Sequence, residues 1–296
     1  MTAAFSMRDL VKKYPDFQLG PLNLVLEPGT VLGYIGPNGS GKTTTMHLLM
    51  GLIKADDGTA EICGYAQNPD EPVWKADIGY VGDEQVFYEY WSGEKNLEFL
   101  SQFYPTWSNP RAAGLAKRFD VPLKKPVREL SKGNRVKLAL IGALAHRPRL
   151  LLLDEPTSGL DPVVRSEFLD VLFEYMESGE TAIFYSTHIL SDISRLADEL
   201  AFIDNGRLKL RRAKDDLTDR WCKISFQLPG NNIRLPGIAT QRHEGRDHQV
   251  VSFDREMTLR HLGVLGAENV EEHRMGIEEI AVQILKGGDN VADSQS

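Results

Sequence analysis

Val31-Leu32-Gly33-Tyr34-Ile35, followed by Gly36-Pro37-Asn38-Gly39-Ser40-Gly41-Lys42-Thr43-Thr44, is the stretch on which the fold turns. The first five residues read as an apolar strand. The glycine-rich loop after them fits the frame GxxxxGK[ST], and Thr44 to Leu52 reads as a helix that ends among glycine and polar residues. Such a loop suits a chain of phosphates. Glycines let backbone N–H groups turn inward where a side chain would collide. Lys42 supplies a point charge for β- and γ-phosphates, Thr43 a hydroxyl ligand for Mg2+, and the helix N-terminus adds partial positive charge.

Further along, Leu150-Leu151-Leu152-Leu153-Asp154-Glu155 is an apolar strand ending in two carboxylates. In an α/β sheet this lifts both acids to the carboxyl edge, where ligands bind. Asp154 is expected to hold Mg2+, directly or through water. Glu155, one residue on, points differently and can polarise an attacking water as general base.

Working outward, Asn23 to Leu26, Glu61 to Cys63, Ile78 to Val81, Thr181 to Tyr185 and Leu200 to Ile203 read as further strands, with Asn205-Gly206 a tight turn. From about 86 to 146 the pattern is helical, with Leu97, Leu100 and Phe103-Tyr104 at helical spacing and an apolar run from Val136 to Leu144. Asp161-Pro162 is a good helix start, and Phe168, Leu169, Leu172 and Met176 mark one face of the helix that follows. Strands alternating with helices argue for a mainly parallel α/β sheet. From about Lys209 the pattern changes. Cys222, Ile224, Phe226 and Leu228 alternate with polar residues as in a half-buried strand, and Ile277, Ile280, Ala281 and Ile284 fall on one helical stripe.

These patterns predict a nucleotide-binding domain over 1–208 with a helical subdomain at about 86–146, a small α+β accessory domain over 209–286, and a polar, disordered tail over 287–296. The accessory region has no second phosphate loop and no metal-ligand spacing, so it is assigned dimer contact or regulation. Gly230, Gly237 and Gly245 read as turns between its strands.

Composition narrows the field. The 296 residues are 42% hydrophobic and 26% charged, which suits a globular protein with a real core. A net charge of −8 argues against non-specific nucleic-acid binding. The two cysteines, Cys63 and Cys222, lie far apart and read as reduced thiols of a cytosolic protein. Met1 to Lys12 lacks a signal-peptide core, and nowhere do about 18 apolar residues run together to span a bilayer. If the protein works at a membrane, another polypeptide supplies the membrane part.

The phosphate loop and the acidic strand, together with Leu130-Ser131-Lys132-Gly133-Asn134, Ser158-Gly159-Leu160-Asp161 and Ser186-Thr187-His188, resemble in order and spacing the ATP-binding cassette (ABC) proteins over roughly residues 3 to 215. The chain looks most like the stand-alone ATP-binding subunits of bacterial drug, peptide or antibiotic exporters. The resemblance implies a P-loop NTPase (RecA-like) core with an antiparallel β part and an α-helical subdomain, binding ATP and Mg2+ through Gly36 to Thr44. It places Tyr14 where an aromatic ring stacks on adenine, with ordinary strand-edge packing as the alternative. Ser131 and Gly133 match the signature that reaches the γ-phosphate of ATP bound to the other subunit of a head-to-tail homodimer or heterodimer. His188 matches a histidine that contacts the γ-phosphate and orients the water, and Asp161 an acid that links the two sites. An integral membrane permease is the implied partner, with the chain peripheral on the cytoplasmic face.

Two departures from the family pattern stand out. The signature usually reads LSGGQ; here Lys132 and Asn134 replace a glycine and the glutamine, while Ser131 and Gly133 remain. Where the family has a glutamine that touches Mg2+, ungapped alignment places Asp83, with Gln85 nearby. A carboxylate is a competent Mg2+ ligand, so Asp83 is preferred and Gln85 is the alternative. Val86 to Trp91 would then meet the membrane partner, unless Phe87, Tyr88, Tyr90 and Trp91 pack inside the helical subdomain. A soluble ABC ATPase acting on DNA or ribosomes is disfavoured by the single cassette and the absence of a heptad run. A cassette that has lost hydrolysis is disfavoured by intact Lys42, Asp154, Glu155 and His188.

Overall fold

A computed structural model describes residues 2–68, 70–177, 179–229 and 234–287. The expected turn at Gly230 and the expected tail beyond Gly287 lie outside the described residues.

Two sheets build the first two-thirds of the chain. An antiparallel sheet takes β1 (Phe5–Tyr14), β2 (Phe17–Leu26), β4 (Asp57–Ile62) and β5 (Tyr65–Ala66) in the order β2-β1-β4-β5. The central sheet takes β3 (Val31–Ile35), β6 (Ile78–Val81), β7 (Leu150–Asp154), β8 (Ala182–Thr187), β9 (Glu199–Asp204) and β10 (Arg207–Ala213), ordered β10-β9-β3-β8-β7-β6. All its pairings are parallel except the β9–β10 hairpin. That hairpin turns through Asn205 and Gly206, both at positive φ as a two-residue turn requires.

Leu150 to Leu153 are all fully buried because helices and the second sheet cover both faces of β7. Successive residues feed opposite cores. Leu151, Leu153, Ile183 and Tyr185 face the layer formed by α4 (Lys132–Ala145), α5 (Pro162–Met176) and α6 (Leu190–Leu196). Leu150, Leu152 and Phe184 pack with α1 (Lys42–Leu49) and the antiparallel sheet. Helix α1 starts two residues earlier than the sequence suggests, because Gly41, in the left-handed region, already serves as its N-cap. In the helical subdomain, α2 (Gly93–Ser101) and α3 (Asn109–Arg118) pack on α4. Phe103 lies past the end of α2 and is largely exposed, so the expected helical spacing holds only to Leu100.

The C-terminal region forms a third sheet from β11 (Cys222–Gln227), β12 (Ile238–Glu244), β13 (Asp247–Ser252) and β14 (Glu268–Arg274), ordered β12-β13-β11-β14. Leu262 of α8 (Arg255–Leu265) closes a small core with Ile224, Phe226 and Val250. Gly237 and Gly245 sit at positive φ in turns, the latter between β12 and β13. The expected boundary at 208 falls inside β10, whose pairing with β9 completes the central sheet. The chain then leaves through α7 (Lys214–Arg220) and returns: on α9 (Ile277–Lys286), Ile280, Ala281 and Ile284 join the same core as Leu196, Leu200 and Phe202. The appendage is thus keyed into the nucleotide-binding unit by its last helix. Cys63 and Cys222 are free and buried. Among the described residues, no helix is long and apolar enough to cross a membrane.

Candidate functional site

Four parallel strands deliver their carboxyl ends to one edge. Register pairs Ile35 with Thr187, Asp154 with Ser186 and Val81 with Leu153. The loop after β3, Gly82-Asp83 after β6, Asp154-Glu155 at the end of β7 and His188 after β8 therefore emerge side by side, the place where open α/β sheets bind ligands.

The loop from Gly36 to Gly41 is shaped by the absence of side chains at two points. A Cβ on Gly36 would sit 2.3 Å from the Ile203 carbonyl oxygen and 2.5 Å from Ser40 Oγ. Gly41, at φ 108°, leaves only 2.6 Å to Leu19 Cδ1. The Gly206 N–H donates to Ser40 O at 3.0 Å and the Gly20 N–H to Gly206 O at 2.7 Å, pinning the loop to the hairpin turn and to β2. Pro37, Asn38 and Gly39 form its exposed rim. Buried Lys42 donates from Nζ to the Gly36 and Pro37 carbonyls at 2.8 and 3.2 Å. No side chain caps α1, so its first N–H groups need another acceptor. Ser40 Oγ is buried without a hydrogen-bond partner among the described residues. A cradle with an ammonium, an uncapped helix N-terminus and an orphaned hydroxyl fits a polyanionic phosphate chain. Thr43 is exposed and Thr44 half-buried in the first turn.

Both acids of β7 are engaged. Asp154 is buried, and its Oδ1 accepts from Ser186 Oγ at 2.5 Å. Glu155 departs from strand geometry with φ 50°, held by its N–H donating to Ser186 O at 3.0 Å. The turn swings its carboxylate away from Asp154. Oε1 lies 3.2 Å from Lys42 Nζ, while Oε2 accepts from His188 Nδ1 at 2.7 Å. Lys42, Glu155 and His188, distant in sequence, are thereby one connected group.

Tyr80 reports on the next pair of carboxylates. Burial, then the charges of Asp154 and Asp83, push its hydroxyl up to about 12. Asp83 is exposed and Asp154 buried, and the pairing of Val81 with Leu153 puts both at adjoining strand ends. Gln85 instead spends its amide on the loop's own carbonyls, Gly82 O at 2.8 Å and Asp83 O at 3.2 Å. Among the described residues no cluster of three or more His, Cys, Asp or Glu could hold a metal. Asp83, Asp154 and the Thr43 hydroxyl, on segments that follow β6, β7 and β3, are hard oxygen donors, the chemistry Mg2+ takes when phosphates and water complete its shell.

Ser131, Gly133 and Asp161 stand apart from this group within one chain. Ser131 caps α4 by accepting from the Asn134 N–H at 3.3 Å, and Gly133 packs against Val164 of α5. Asp161 caps α5, accepting from Val163 and Val164 at 3.1 Å each. Tyr14 is exposed at the end of β1, with the Phe17 ring 6.4 Å away. Phe17 itself reaches the loop, its Cζ 3.2 Å from where a Gly41 Cβ would lie. Sequence reasoning passed over Phe17, although it sits opposite Tyr14 across a hairpin. It also passed over Asp192. This buried carboxylate on α6 accepts from Thr157 Oγ1 at 2.6 Å, Arg165 Nε at 2.5 Å and Tyr185 OH at 3.2 Å, and so fixes the segment after Glu155. A lone acid in a short helix carries no signal of that role.

Behind the edge, a groove of about 590 Å3 runs between the loop after β6 and the helical subdomain, lined among others by Tyr80, Gln85, Phe87, Tyr88 and Phe99. Val86 and Tyr90 are largely exposed. Tyr88 and Trp91 stack at 4.3 Å, and Phe99 meets both edge-on. Part of the aromatic run thus packs on itself, and part faces outward.

Comparison with known proteins shows the family. Residues 19–158 match the profile of the ABC transporter family. The ABC transporter ATP-binding protein YtrB of Bacillus subtilis is 34% identical over 208 residues, covering 70% of this chain and 71% of that one. The bacitracin transport ATP-binding protein BcrA of Bacillus licheniformis is 30% identical over 95% of this chain and 93% of its own. The solved ATP-binding subunit of an ABC transporter superposes with a TM-score of 0.67 at 28% identity, covering 73% of this chain and 92% of that one. With its phosphate loop, acidic strand and P-loop NTPase sheet in the shared order, the chain belongs to the ABC transporter ATP-binding proteins, the ATP-hydrolysing subunits of these transporters.

Proposed function

We propose that two copies of this chain, or one copy and a related subunit, close head to tail around two ATP molecules, and that closing and opening drive export through a separate membrane permease. The connected group Lys42–Glu155–His188 carries the reading, because it gathers a phosphate-binding cation, a base and a second polar group at the mouth of the phosphate loop. Lys42 and the N–H groups from Gly36 to Thr44 hold the phosphates. Thr43, Asp83 and Asp154 would hold Mg2+, which when bound neutralises charge on the phosphate oxygens. Glu155 takes the proton of the attacking water, and His188, hydrogen-bonded to it, orients that water and contacts the γ-phosphate. Tyr14 offers its exposed face to adenine.

Ser131 and Gly133 serve the partner's ATP, and Asp161 links the two sites. The aromatic groove beside Val86 to Trp91 receives a short helix of the permease, which keeps the chain at the cytoplasmic face of the membrane. The relative from Bacillus licheniformis is named for bacitracin transport, and one from Streptomyces coeruleorubidus for daunorubicin resistance. An amphipathic drug or peptide is the class of cargo these names support.

Glu155→Gln tests the reading. It removes the base and leaves the cradle, so turnover should fall about 10²–10⁴-fold while ATP binding persists. In sedimentation, the variant should shift from monomer to dimer when ATP is added. Near-normal turnover, or no ATP-dependent dimer, would contradict it.

A further inference from the structure

Glu89 holds the segment containing Ser131 from both sides. Its carbonyl accepts from the Arg128 N–H at 3.0 Å, three residues before Ser131. Its carboxylate takes a bidentate grip on Arg135, four residues after, with Nη1 and Nη2 at 2.8 and 2.9 Å. A main-chain ladder extends the clasp. Val127 N donates to Trp91 O, Gly93 N to Lys125 O and Glu94 N to Leu123 O, at 2.9, 3.2 and 3.0 Å. Ser92 and Pro126 form an antiparallel bridge, and the Arg128 guanidinium lies 4.9 Å from the Tyr90 ring centre. Residues 88–94, which begin at the groove-lining Tyr88, and 123–128, just before the signature, are thereby tied together by main-chain hydrogen bonds.

We infer that Glu89, through Arg135, is a positioning residue for Ser131 and so sets how well this chain completes the neighbouring ATP site. The inference rests on the reading of Ser131 proposed above. A bidentate Arg–carboxylate pair resists rotation as a single hydrogen bond does not. Arg135 lies in the first turn of α4, the helix Ser131 caps, so the pair fixes that turn's orientation. The phosphate loop, carried by β3 and α1, has no part in the clasp. Loss of the pair should therefore lower turnover while leaving the chain's own grip on ATP intact.

The experiment follows ATP hydrolysis by the full-length chain as a function of ATP concentration. Glu89→Gln and Arg135→Leu should each lower kcat about tenfold, with half-saturating ATP within about twofold of wild type. The exchanged pair, Glu89→Arg with Arg135→Glu, should recover kcat to within about threefold of wild type. A merely structural role, by loosening the fold, would move half-saturating ATP together with kcat. Unchanged kcat in the single variants, or a loss that a folded exchanged pair does not recover, would overturn the inference. Should the exchanged chain fail to fold, Glu89→Asp against Glu89→Asn carries the test: charge kept should outperform charge lost, and equal kcat would overturn the idea. A wild-type chain showing neither ATP hydrolysis nor ATP-dependent dimerisation would remove the underlying reading, and this inference with it. Wild-type behaviour as proposed, with inert Glu89 variants, would remove the inference alone.

Discussion

Lys42 Nζ lies 3.2 Å from Oε1 of Glu155, in a pocket where the lysine is 6% and the glutamate 12% exposed. The cation proposed to grip phosphate and the carboxylate proposed to take a proton are therefore held against each other at the edge of the central sheet. The same ammonium also satisfies the carbonyls of Gly36 and Pro37, so it is placed before any phosphate arrives. Placement of this kind lowers the reorganisation needed for binding and for charge stabilisation.

Replacing Lys42 by alanine removes a buried charge from the cradle and leaves Glu155 without its cation. Charged hydrogen bonds contribute about 1.5–3 kcal/mol, so ATP affinity should fall about tenfold or more. Titration with a fluorescent ATP analogue measures this, and unchanged affinity would remove Lys42 from its role.

Asp192 is expected to matter as much to folding as to the site. In Asp192→Ala, the Thr157 and Tyr185 hydroxyls and the Arg165 guanidinium lose their shared acceptor. Breaking such a buried group should cost about 2–4 kcal/mol in urea unfolding and slow hydrolysis by loosening the segment after Glu155. A variant as stable and as active as wild type would show that the network carries neither role.

His146 predicts a pH dependence. Burial holds its pKa below the usual histidine value and outweighs the Ile78 and Gly142 carbonyls, whose hydrogen bonds to the ring act to raise it. With the folded pKa depressed, the unfolded chain binds the extra proton first. Stability is thus full above about pH 6.5 and falls as pH drops through the unfolded pKa, by up to about 1.4 kcal/mol per pH unit, until the folded pKa is reached. His146→Gln should flatten the slope between pH 7 and 5 relative to wild type in denaturant titrations. Parallel curves would refute the assignment.

Helix α9 tests how separable the C-terminal region is. Ile280 and Ile284 are buried in the core that also holds Leu200 and Phe202. Ile280→Ala should destabilise the whole chain by about 2–5 kcal/mol while half-saturating ATP stays near wild type. A chain ending at Ala213 bares that apolar face and should be poorly soluble; if soluble and folded, it should still bind ATP. Ready solubility with undiminished melting temperature would mean that α9 contributes little to the core.

The sequence by itself determined the strand–loop–helix that begins at Val31, the buried strand at Leu150 and the helix cap at Asp161. Each is a local rule: glycine at positive φ, a doubly apolar run, a short polar side chain before a helix. It also placed the residues of the site in chain order. What it could not supply was anything set by register or by return of the chain. Only the parallel pairing of β7 with β8 brings His188 to Glu155 and Ser186 to Asp154. Only packing buries Asp192 under Thr157 and carries α9 back across the boundary that the change of pattern predicts at 208. Local preferences act over a few residues, whereas these contacts join segments tens to hundreds of residues apart. The hydrophobic stripes that specify such contacts say that a face must be covered, but not by which element.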